Sequence, residues 1–320
     1  MNKKPLVSIV IPTHNRCNIL KRAVVSAINQ TYQNIEIIVV SDGSQDNTDS
    51  VMEELLKQDA RLRYYPYAPA QGGNHARNVG IEKSAGEYIA FLDDDDEWYP
   101  EKIQKQVAIM EEDDKIGLVC TGVNCIYEGR KNGCLFVPDA EYDSSKKILI
   151  KNCVGSTTTV MLRKTVLEKS GLFDEKVVAM QDYDLWIRVC QYTKVGVVKE
   201  ACLNYYIAFA NKQISQYTDK SERATQYLIN KYKDLFDTLT IEERNTRFYL
   251  FYRALIKKAI KNKEPKIARK YIKIAKKYKN NIHLRFYWIA SFLPVAFLFN
   301  LQAIKRKREY KRGKYGSNQK

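Results

Sequence analysis

Four consecutive aspartates, Asp93 to Asp96, stand directly after an apolar run in the segment "EYIAFLDDDDEWYP". Neighbouring carboxylates repel each other, and the repulsion grows when they are partly buried. The cluster is therefore either a solvated turn that begins a helix or the site of a positive ligand. Mg²⁺ and Mn²⁺ take oxygen ligands and are commonly shared with substrate phosphates. A cation chelated by a diphosphate would stabilise these four charges.

Polar segments also follow three earlier runs that predict buried strands. "PTHNR" closes the run at 6–12, "SDGSQDNT" closes the run at 35–41, and "GGNHARN" follows "RLRYYPY". Open α/β sheets bind ligands at the carboxyl ends of their strands, so these segments should meet at one edge. Each segment alone is compatible with a simple turn or helix start. Together they offer carboxylates for a base, a ribose or a cation and an arginine for phosphate, which suits a nucleotide.

The elements that must position these groups alternate between strand and helix in the first third of the chain. This alternation predicts βαβ units, and hence a mostly parallel, Rossmann-like sheet with flanking helices. After about residue 115 the pattern becomes irregular, with strands expected at 116–127 and 156–164. From about residue 216 it is helical and rich in lysine. We therefore expect a catalytic domain at 1–215, a basic helical region at 216–281, and an apolar segment with a basic tail at 282–320.

The charge of the chain is concentrated at one end. The formal net charge is +16, and residues 241–320 carry +19, which leaves −3 for residues 1–240. A protein that binds nucleic acid over its surface would not be built in this way, so we expect no nucleic-acid partner. The seven cysteines include no C-x-x-C pair, and the N-terminal apolar run is too short for a signal peptide. These features favour the cytoplasm.

Five segments carry a family resemblance. They are "VSIVIPTHNR", "VVSDGSQDNT", "GGNHARNVGI", "GEYIAFLDDDDEW" and "MQDYDLWIRV", and in this order, over residues 6 to about 210, the chain resembles the family 2 glycosyltransferases of the GT-A fold. The resemblance implies an inverting, metal-dependent hexosyl or N-acetylhexosaminyl transfer, with Mn or Mg as the cofactor. It implies a nucleotide-sugar donor, expected to be a UDP-sugar. The expected acceptor is a lipid-linked or growing glycan of a bacterial cell-surface polysaccharide.

The resemblance also implies roles for single residues of the donor site. It places seven residues at the nucleotide sugar, namely Pro12, Thr13, Asn15, Asp42, Arg77, Asp93 and Asp94. Asp42 would accept a hydrogen bond from the base, and uracil offers N3–H as a donor. Asp95 is the expected metal ligand. Because all four residues are aspartate, the register within Asp93–Asp96 stays open, and Asp96 is either a water-mediated ligand or a helix cap.

Asp182, in "QDYDLWIR", is the expected general base. It would take the proton of the acceptor hydroxyl as that oxygen attacks the anomeric carbon. Gln181 stands where the family has glutamate, and the loss of that charge could lower the pKa of the base. Asp184 is the weaker alternative, since positions i and i+2 do not share a helix face. Trp186 is expected in the core.

Two stretches leave alternatives open. Tyr205, Tyr206 and Lys212 stand where many relatives carry an arginine or histidine, so the contacts of that loop are undecided. Residues 286–301 are almost wholly apolar with basic flanks, and a helix of that length spans about 24 Å, short of a bilayer core of roughly 30 Å. A re-entrant or interfacial helix held to anionic lipid is expected, which would place the protein on the inner face of the cell membrane; a buried helix is the alternative.

Two other functions compete with the glycosyltransferase. A sugar-nucleotide nucleotidyltransferase has the same type of sheet, but that class usually carries a glycine-rich loop with a basic residue after the first strand. "IPTHNRCNIL" lacks such a loop. A basic protein that binds nucleic acid or a membrane surface is the non-catalytic rival, and for nucleic acid the uneven charge argues against it.

Overall fold

The structure is a computed structural model that describes residues 4–127, 133–207 and 217–292. The chain divides into two compact units. The first consists of residues 1–148, 152–176 and 181–210, and the second of residues 149–151, 177–180 and 211–320.

The first unit contains the elements that the sequence predicts to be catalytic. Its strands are β1 (Val7–Thr13), β2 (Ile35–Asp42), β3 (Leu62–Tyr67), β4 (Tyr88–Phe91), β5 (Glu97–Trp98), β6 (Ile116–Tyr127), β7 (Cys134–Phe136), β8 (Val160–Arg163) and β9 (Lys194–Ile207). Its helices are α1 (Cys17–Ile28), α2 (Thr48–Leu56), α3 (Gly73–Lys83), α4 (Lys102–Glu112), α5 (Lys147–Ile150), α6 (Lys164–Ser170) and α7 (Gln181–Val189), with a 3-10 turn at Thr157–Thr159.

The described strands form one nine-stranded sheet in the order β3-β2-β1-β4-β8-β6-β9-β5, with β7 paired to β6. Strands β1 to β4 are parallel, as the alternation predicts. Strand β8 is antiparallel to both β4 and β6, whereas β6 and β9 are parallel. The parallel part of the sheet is therefore the part that brings the ends of β1, β2 and β4 to one edge.

Burial explains why these segments are strands and helices. Every residue of β1 and β2 is buried, which fits parallel strands covered on both faces. Helix α1 buries Leu20, Ala23, Val24 and Ala27, whose three- and four-residue spacing forms one apolar stripe. Helix α3 approaches β1 closely because Gly80 has no side chain; a Cβ there would lie 2.3 Å from Val10 Cγ1.

The sequence pattern misses β9, the longest strand. Its pairing with β6 is interrupted by register shifts near Gly122, so its buried positions do not alternate regularly. Arg16 occupies the N-cap position of α1, without a side-chain cap hydrogen bond.

The described part of the second unit is helical, as the lysine-rich pattern predicts. Its helices are α8 (Thr218–Lys231), α9 (Lys233–Asp237), α10 (Ile241–Lys261), α11 (Pro265–Ala275) and α12 (Ile282–Ala290). Thr240 caps α10 in a reciprocal capping box with Glu243. A core cluster joins the last three helices through Tyr249, Leu255, Ile256, Tyr271, Ile272, Ala275 and Leu284.

The structure describes only the first part of the apolar C-terminal segment, up to residue 292. Leu284 and Ala290 of α12 are buried, while Phe286, Ile289 and Phe292 are each more than half exposed. No helix in the described ranges is long and apolar enough to cross a membrane. Residues 293–320, which include Pro294 and the basic run at 305–308, lie outside the described residues.

Candidate active site

The four aspartates after β4 alternate between accessible and buried positions. Asp93 and Asp95 are partly exposed, whereas Asp94 and Asp96 are buried. The amide of Asp96 donates to the carbonyl oxygen of Asp93 at 3.0 Å, which closes the turn. The structure thus singles out Asp93 and Asp95 as the pair that can face a ligand, a register that four identical residues could not reveal.

Asp94 joins the end of β4 to the end of β1. Its Oδ2 accepts from Thr13 Oγ1 at 2.8 Å, and its Oδ1 accepts from Arg16 Nη1 at 2.7 Å. Burial raises the pKa of Asp94 to about 6, although the Arg16 charge acts in the opposite direction. A direct contact of Asp94 or Thr13 with a nucleotide would require these buried partners to separate, so their expected contacts remain predictions.

Asp95 is held from two sides by arginines of the α1 region. Its Oδ2 lies 3.1 Å from Arg16 Nη1, and its backbone carbonyl oxygen accepts from Arg22 Nη2 at 2.5 Å. The side chain of Asp95 remains 21% exposed, against 6% for Asp94. Neither arginine was singled out by the sequence, because nothing local links positions so far apart along the chain.

Asp93 connects the cluster to α3 and to the 3-10 turn. Arg77 Nη2 donates to Asp93 Oδ1 at 2.6 Å, and Thr157 Oγ1 donates to Asp93 Oδ2 at 3.1 Å. Arg77, expected at the nucleotide, is therefore ion-paired beside the cluster. Its guanidinium carbon also lies 5.5 Å from the centre of the Phe173 ring.

Asp96 is buried and contacts the backbone of β9. Its Oδ1 accepts from the amide of Tyr206 at 3.3 Å, and burial together with Asp95 and Asp93 raises its pKa. Tyr206 donates through its hydroxyl to Glu97 Oε2 at 2.8 Å and carries the Arg22 guanidinium 3.8 Å above its ring. Within the described residues the other oxygen of Asp96, Oδ2, is buried without a hydrogen-bond partner, and the water-mediated ligand role stays a prediction.

Asp42, at the end of β2, is a buried clamp. Its Oδ1 accepts from Tyr67 Oη at 2.8 Å and from the Gln71 amide at 2.6 Å, and its Oδ2 accepts from the Gly72 amide at 2.8 Å. Gly43 follows with φ +64°, where a side chain would be strained and would meet the Ala70 backbone. Asp42 thereby fixes the chain that leads into α3.

Asn15 ties the end of β1 to the loop after β2. Its Oδ1 accepts from the Gln45 amide at 2.7 Å, and its own amide donates to Ser44 Oγ at 3.0 Å. Asn15 is exposed, while Pro12 is buried within β1 opposite Val40. Of Pro12, Thr13 and Asn15, the residues at the end of β1 that are expected at the nucleotide, Asn15 is the most accessible.

Asp182 lies in the first turn of α7 and is half-buried. Its Oδ1 accepts from the Tyr183 amide at 2.7 Å. Burial raises the pKa of Asp182 to about 6; the Asp93 charge raises it further, and the Arg77 charge lowers it. Asp182 is therefore within electrostatic range of the Arg77–Asp93 pair. Its raised pKa lies closer to neutral pH than that of an ordinary aspartate, which suits a general base.

Asp184 differs from Asp182 in every respect that matters for proton transfer. It is fully buried and pairs with Arg188 Nη2 at 2.9 Å. Arg188 also donates to three backbone carbonyl oxygens between residues 170 and 172. Arg188 therefore pairs with a carboxylate and with the backbone, and the expected core position of Trp186 is confirmed.

Tyr205 completes the set of groups around the cluster. Its half-buried ring packs on the main core, and burial together with the carboxylates of Asp96, Asp93, Asp95 and Asp182 raises the pKa of its phenol. The sequence indicated this segment but not the direction of the side chain. Lys212 lies outside the described residues.

A divalent cation that is shared with a substrate fits the residues of this site. Within the described ranges, no group of three or more His, Cys, Asp and Glu side chains is arranged to hold a metal ion. Mg²⁺ typically binds through one or two carboxylates plus substrate phosphates and water. Asp95, partly exposed and next to Asp93, supplies such a hard oxygen ligand, so the residues present suit a cation bound together with a diphosphate.

The sheet and the acidic turn after β4 belong to the GT-A class of glycosyltransferase folds. Residues 8–171, just over half of the chain, match the family model for glycosyl transferase family 2. The chain belongs to this family, so the fold class and the family expected from the sequence are confirmed.

Relatives in curated collections are similarly named. The chain is 37% identical over 202 residues to an uncharacterized glycosyltransferase of Rickettsia typhi, covering 60% of each chain. It is 33% identical over 231 residues to one of Rickettsia prowazekii, covering 67% of this chain and 70% of the relative. The chain spans 36% of a relative from Rickettsia conorii and 28% of one from Rickettsia bellii.

Two solved structures share the fold. Staphylococcus aureus TarS 1–349 in complex with UDP-GlcNAc aligns with a TM-score of 0.55 at 15% identity, covering 85% of this chain and 91% of that one. The mannosyltransferase PcManGT of Pyrobaculum calidifontis, in complex with GDP-Man and Mn²⁺, aligns with a TM-score of 0.59 at 16% identity, covering 91% and 86%. At this identity the likeness supports the fold alone.

Proposed function

We propose that this chain is an inverting glycosyltransferase that moves a sugar from a UDP-sugar to an acceptor hydroxyl, with Asp182 as the general base. The observation that carries this proposal is the Arg77–Asp93 ion pair next to Asp95, with Asp182 within electrostatic range of both charges of the pair. The structural relatives that bind UDP-GlcNAc or GDP-Man support a nucleotide sugar as the donor class.

The hydrogen bonds of Asp42 favour uracil over guanine. An ionised carboxylate offers about four acceptor positions, and Asp42 uses two on Oδ1 and one on Oδ2. One position is left for a base. Uracil needs one, for N3–H, whereas the Watson–Crick edge of guanine presents N1–H and N2–H side by side. A UDP-sugar therefore suits this carboxylate better than a GDP-sugar.

The reaction is a single displacement at the anomeric carbon. The acceptor oxygen forms its bond to that carbon while the bond to the diphosphate oxygen breaks, and the departing diphosphate keeps the electron pair. Asp182 takes the acceptor proton. Arg77 holds Asp93 in place beside this carboxylate. A divalent cation at Asp95, Mn or Mg, would stabilise the charge of the departing diphosphate.

The C-terminal part of the chain is proposed to bring the enzyme to its acceptor. The catalytic domain would comprise residues 1–215, followed by the basic helical region at 216–281 and the membrane-associating segment at 282–320. Exposed Phe286, Ile289 and Phe292, with lysines of α11 nearby in the chain, support docking on an anionic lipid surface. The acceptor would then be a lipid-linked or growing surface glycan, and the enzyme peripheral on the inner face of the cell membrane.

A donor screen tests this function. Purified protein is incubated with UDP-, GDP-, TDP- and CMP-sugars and Mn²⁺, and release of the nucleotide is measured with and without membrane extract as the acceptor source. UDP release that requires Asp182 is expected. Formation of pyrophosphate from UTP and a sugar 1-phosphate would instead identify a nucleotidyltransferase. Release from none of the donors would contradict the proposal.

A further inference from the structure

Arg16 is placed at the acidic cluster without a role in the reaction described above. It is the N-cap residue of α1, and its Nη1 atom contacts two carboxylates, Asp94 at 2.7 Å and Asp95 at 3.1 Å. Both contacts raise its pKa, against the effect of burial, so Arg16 is a permanent cation here. We propose that Arg16, anchored on Asp94, is a positioning residue that sets the orientation of the Asp95 carboxylate toward a divalent cation. This inference rests on the metal dependence in the proposed function.

The contacts of Arg16 with Asp94 and with Asp95 differ in length and in burial. Asp94 holds Arg16 in place, and Asp95 is the residue that Arg16 orients. Asp94 is buried, and each of its oxygens is engaged by a residue at the end of β1 or the start of α1, Thr13 on one side and Arg16 on the other. Asp95 is more exposed, and its distance to Arg16 is longer. Arg16 is therefore fixed by Asp94, and from that fixed point it restrains Asp95.

Arg22 restrains the same residue at its backbone. Its Nη2 donates to the carbonyl oxygen of Asp95, and its guanidinium stacks on the Tyr206 ring at 3.8 Å. The backbone of Asp95 is thus held by one arginine and its side chain by another. Groups that hydrogen-bond a metal-binding carboxylate fix its direction, and their loss typically weakens metal binding 10- to 100-fold.

The charge of Arg16 does not by itself oppose a cation at Asp95. Arg16 and Asp94 form a pair whose charges cancel, so the pair as a unit adds little field at the neighbouring carboxylate. Removing both members leaves the net charge of the cluster unchanged and takes away only the directed contact. This gives the inference a test that separates orientation from electrostatic repulsion.

The test measures binding of Mn²⁺ in the presence of UDP, from the electron paramagnetic resonance signal of the free ion. The variants are Arg16→Gln, Arg16→Lys and the charge-neutral double variant Arg16→Gln/Asp94→Asn. Arg61→Gln is the matched control. Arg61 forms its ion pair with Asp59, at a distance of 2.6 Å, and not with the acidic cluster. We expect Arg16→Gln and the double variant to bind Mn²⁺ at least about 10-fold more weakly. Arg16→Lys should recover most of the affinity, since an ammonium group can contact both carboxylates, and Arg61→Gln should match the parent chain.

The outcomes are distinguishable. If the double variant binds Mn²⁺ as tightly as the parent chain, or more tightly, the inference is overturned, because Arg16 then competes with the cation or has no influence on it. In Arg16→Gln, a higher Mn²⁺ concentration for half-maximal activity, together with a nearly unchanged kcat at saturating Mn²⁺, supports a positioning role for Arg16. If Arg16→Gln fails to fold, the double variant decides, since it does not leave Asp94 buried without its partner. If the parent chain itself shows no Mn²⁺-dependent UDP binding, the metal dependence in the proposed function is contradicted, and the inference about Arg16 is overturned with it.

Discussion

Arg77 Nη2 lies 2.6 Å from Asp93 Oδ1, so that α3 and the turn after β4 are joined by one ion pair. The two charges act on Asp182 in opposite directions, and burial is left as the main reason for its raised pKa. The same pair therefore connects the residues expected at the nucleotide with the residue expected to take the acceptor proton.

Asp182→Asn should lower kcat by at least about 100-fold while UDP binding is retained, since a general base typically contributes 10²–10⁴-fold. The amide cannot take a proton but keeps the size of the side chain. Steady-state kinetics and calorimetry with UDP on the same preparation measure both effects.

Asp184→Asn is the comparison for this variant. It weakens the buried pair with Arg188, so we expect a lower melting temperature and a smaller loss of kcat. If Asp184→Asn loses activity while Asp182→Asn keeps it, Asp184 is the base and the proposed assignment is wrong.

The pH dependence of kcat/KM should show an acid limb near pH 6. Asp182 works as a base only when ionised, and burial raises its pKa to about 6, so activity falls as the pH drops below that value. The charged groups that act on it are Asp93 and Arg77, and the Tyr205 phenol faces the same cluster. A pH–rate profile from 4.5 to 8 tests this, and a flat profile down to pH 5 would exclude Asp182 as the titrating group.

The sequence predicts the parallel half of the sheet well because its strands are buried on both faces. Strands β1 and β2 are rich in β-branched residues, and they end at the polar segments in which the expected site residues lie. Asp42 and the four-aspartate cluster stand out because motif and strand end coincide, whereas Asp182 stands out through its motif alone. This information is local, so it is available without coordinates.

The contacts within the site are not local, and the sequence could not supply them. Arg16 meets Asp94 from 78 positions away, and Tyr205 approaches the cluster from β9, a strand whose irregular pairing hides its period. The difference between Asp94 and Asp95 is one of burial between identical residues. Such facts depend on how the turn after β4 is oriented by its neighbours.

Truncation after Phe292 should reduce binding to anionic vesicles at least about 100-fold, because it removes the apolar run from 293 and the basic residues at 305–308, each of which contributes about 1 kcal/mol near an anionic surface. The cut is placed there because Leu284 of α12 belongs to the core of the second unit. Vesicle flotation and UDP binding are measured together, and replacement of the four basic residues by glutamine provides the charge control. A truncated chain that still floats would remove this segment as the anchor, and one that aggregates would favour the buried-helix alternative.

Lys102 should make stability depend on pH. It is fully buried with its Nζ 2.7 Å from Gln106 Oε1, and burial lowers its pKa to about 7. Between that value and the ordinary lysine value the unfolded chain binds more protons, so the free energy of unfolding rises with pH, by up to ~1.4 kcal/mol per pH unit. Denaturant unfolding at pH 7.5 and 9.5 should show this rise in the parent chain and a smaller one in Lys102→Met. An equal rise in both would contradict the assignment.

Calorimetry of UDP binding with Mn²⁺, on the parent chain and on Asp95→Ala, tests the central claim most directly. Asp95 is the partly exposed carboxylate at which a cation and a diphosphate are proposed to meet, so its loss should abolish the Mn²⁺-dependent part of UDP binding and leave the melting temperature nearly unchanged. Asp114→Ala, which changes a fully exposed aspartate, serves as the matched control and should bind like the parent chain. Unchanged Mn²⁺-dependent affinity in Asp95→Ala would contradict the account.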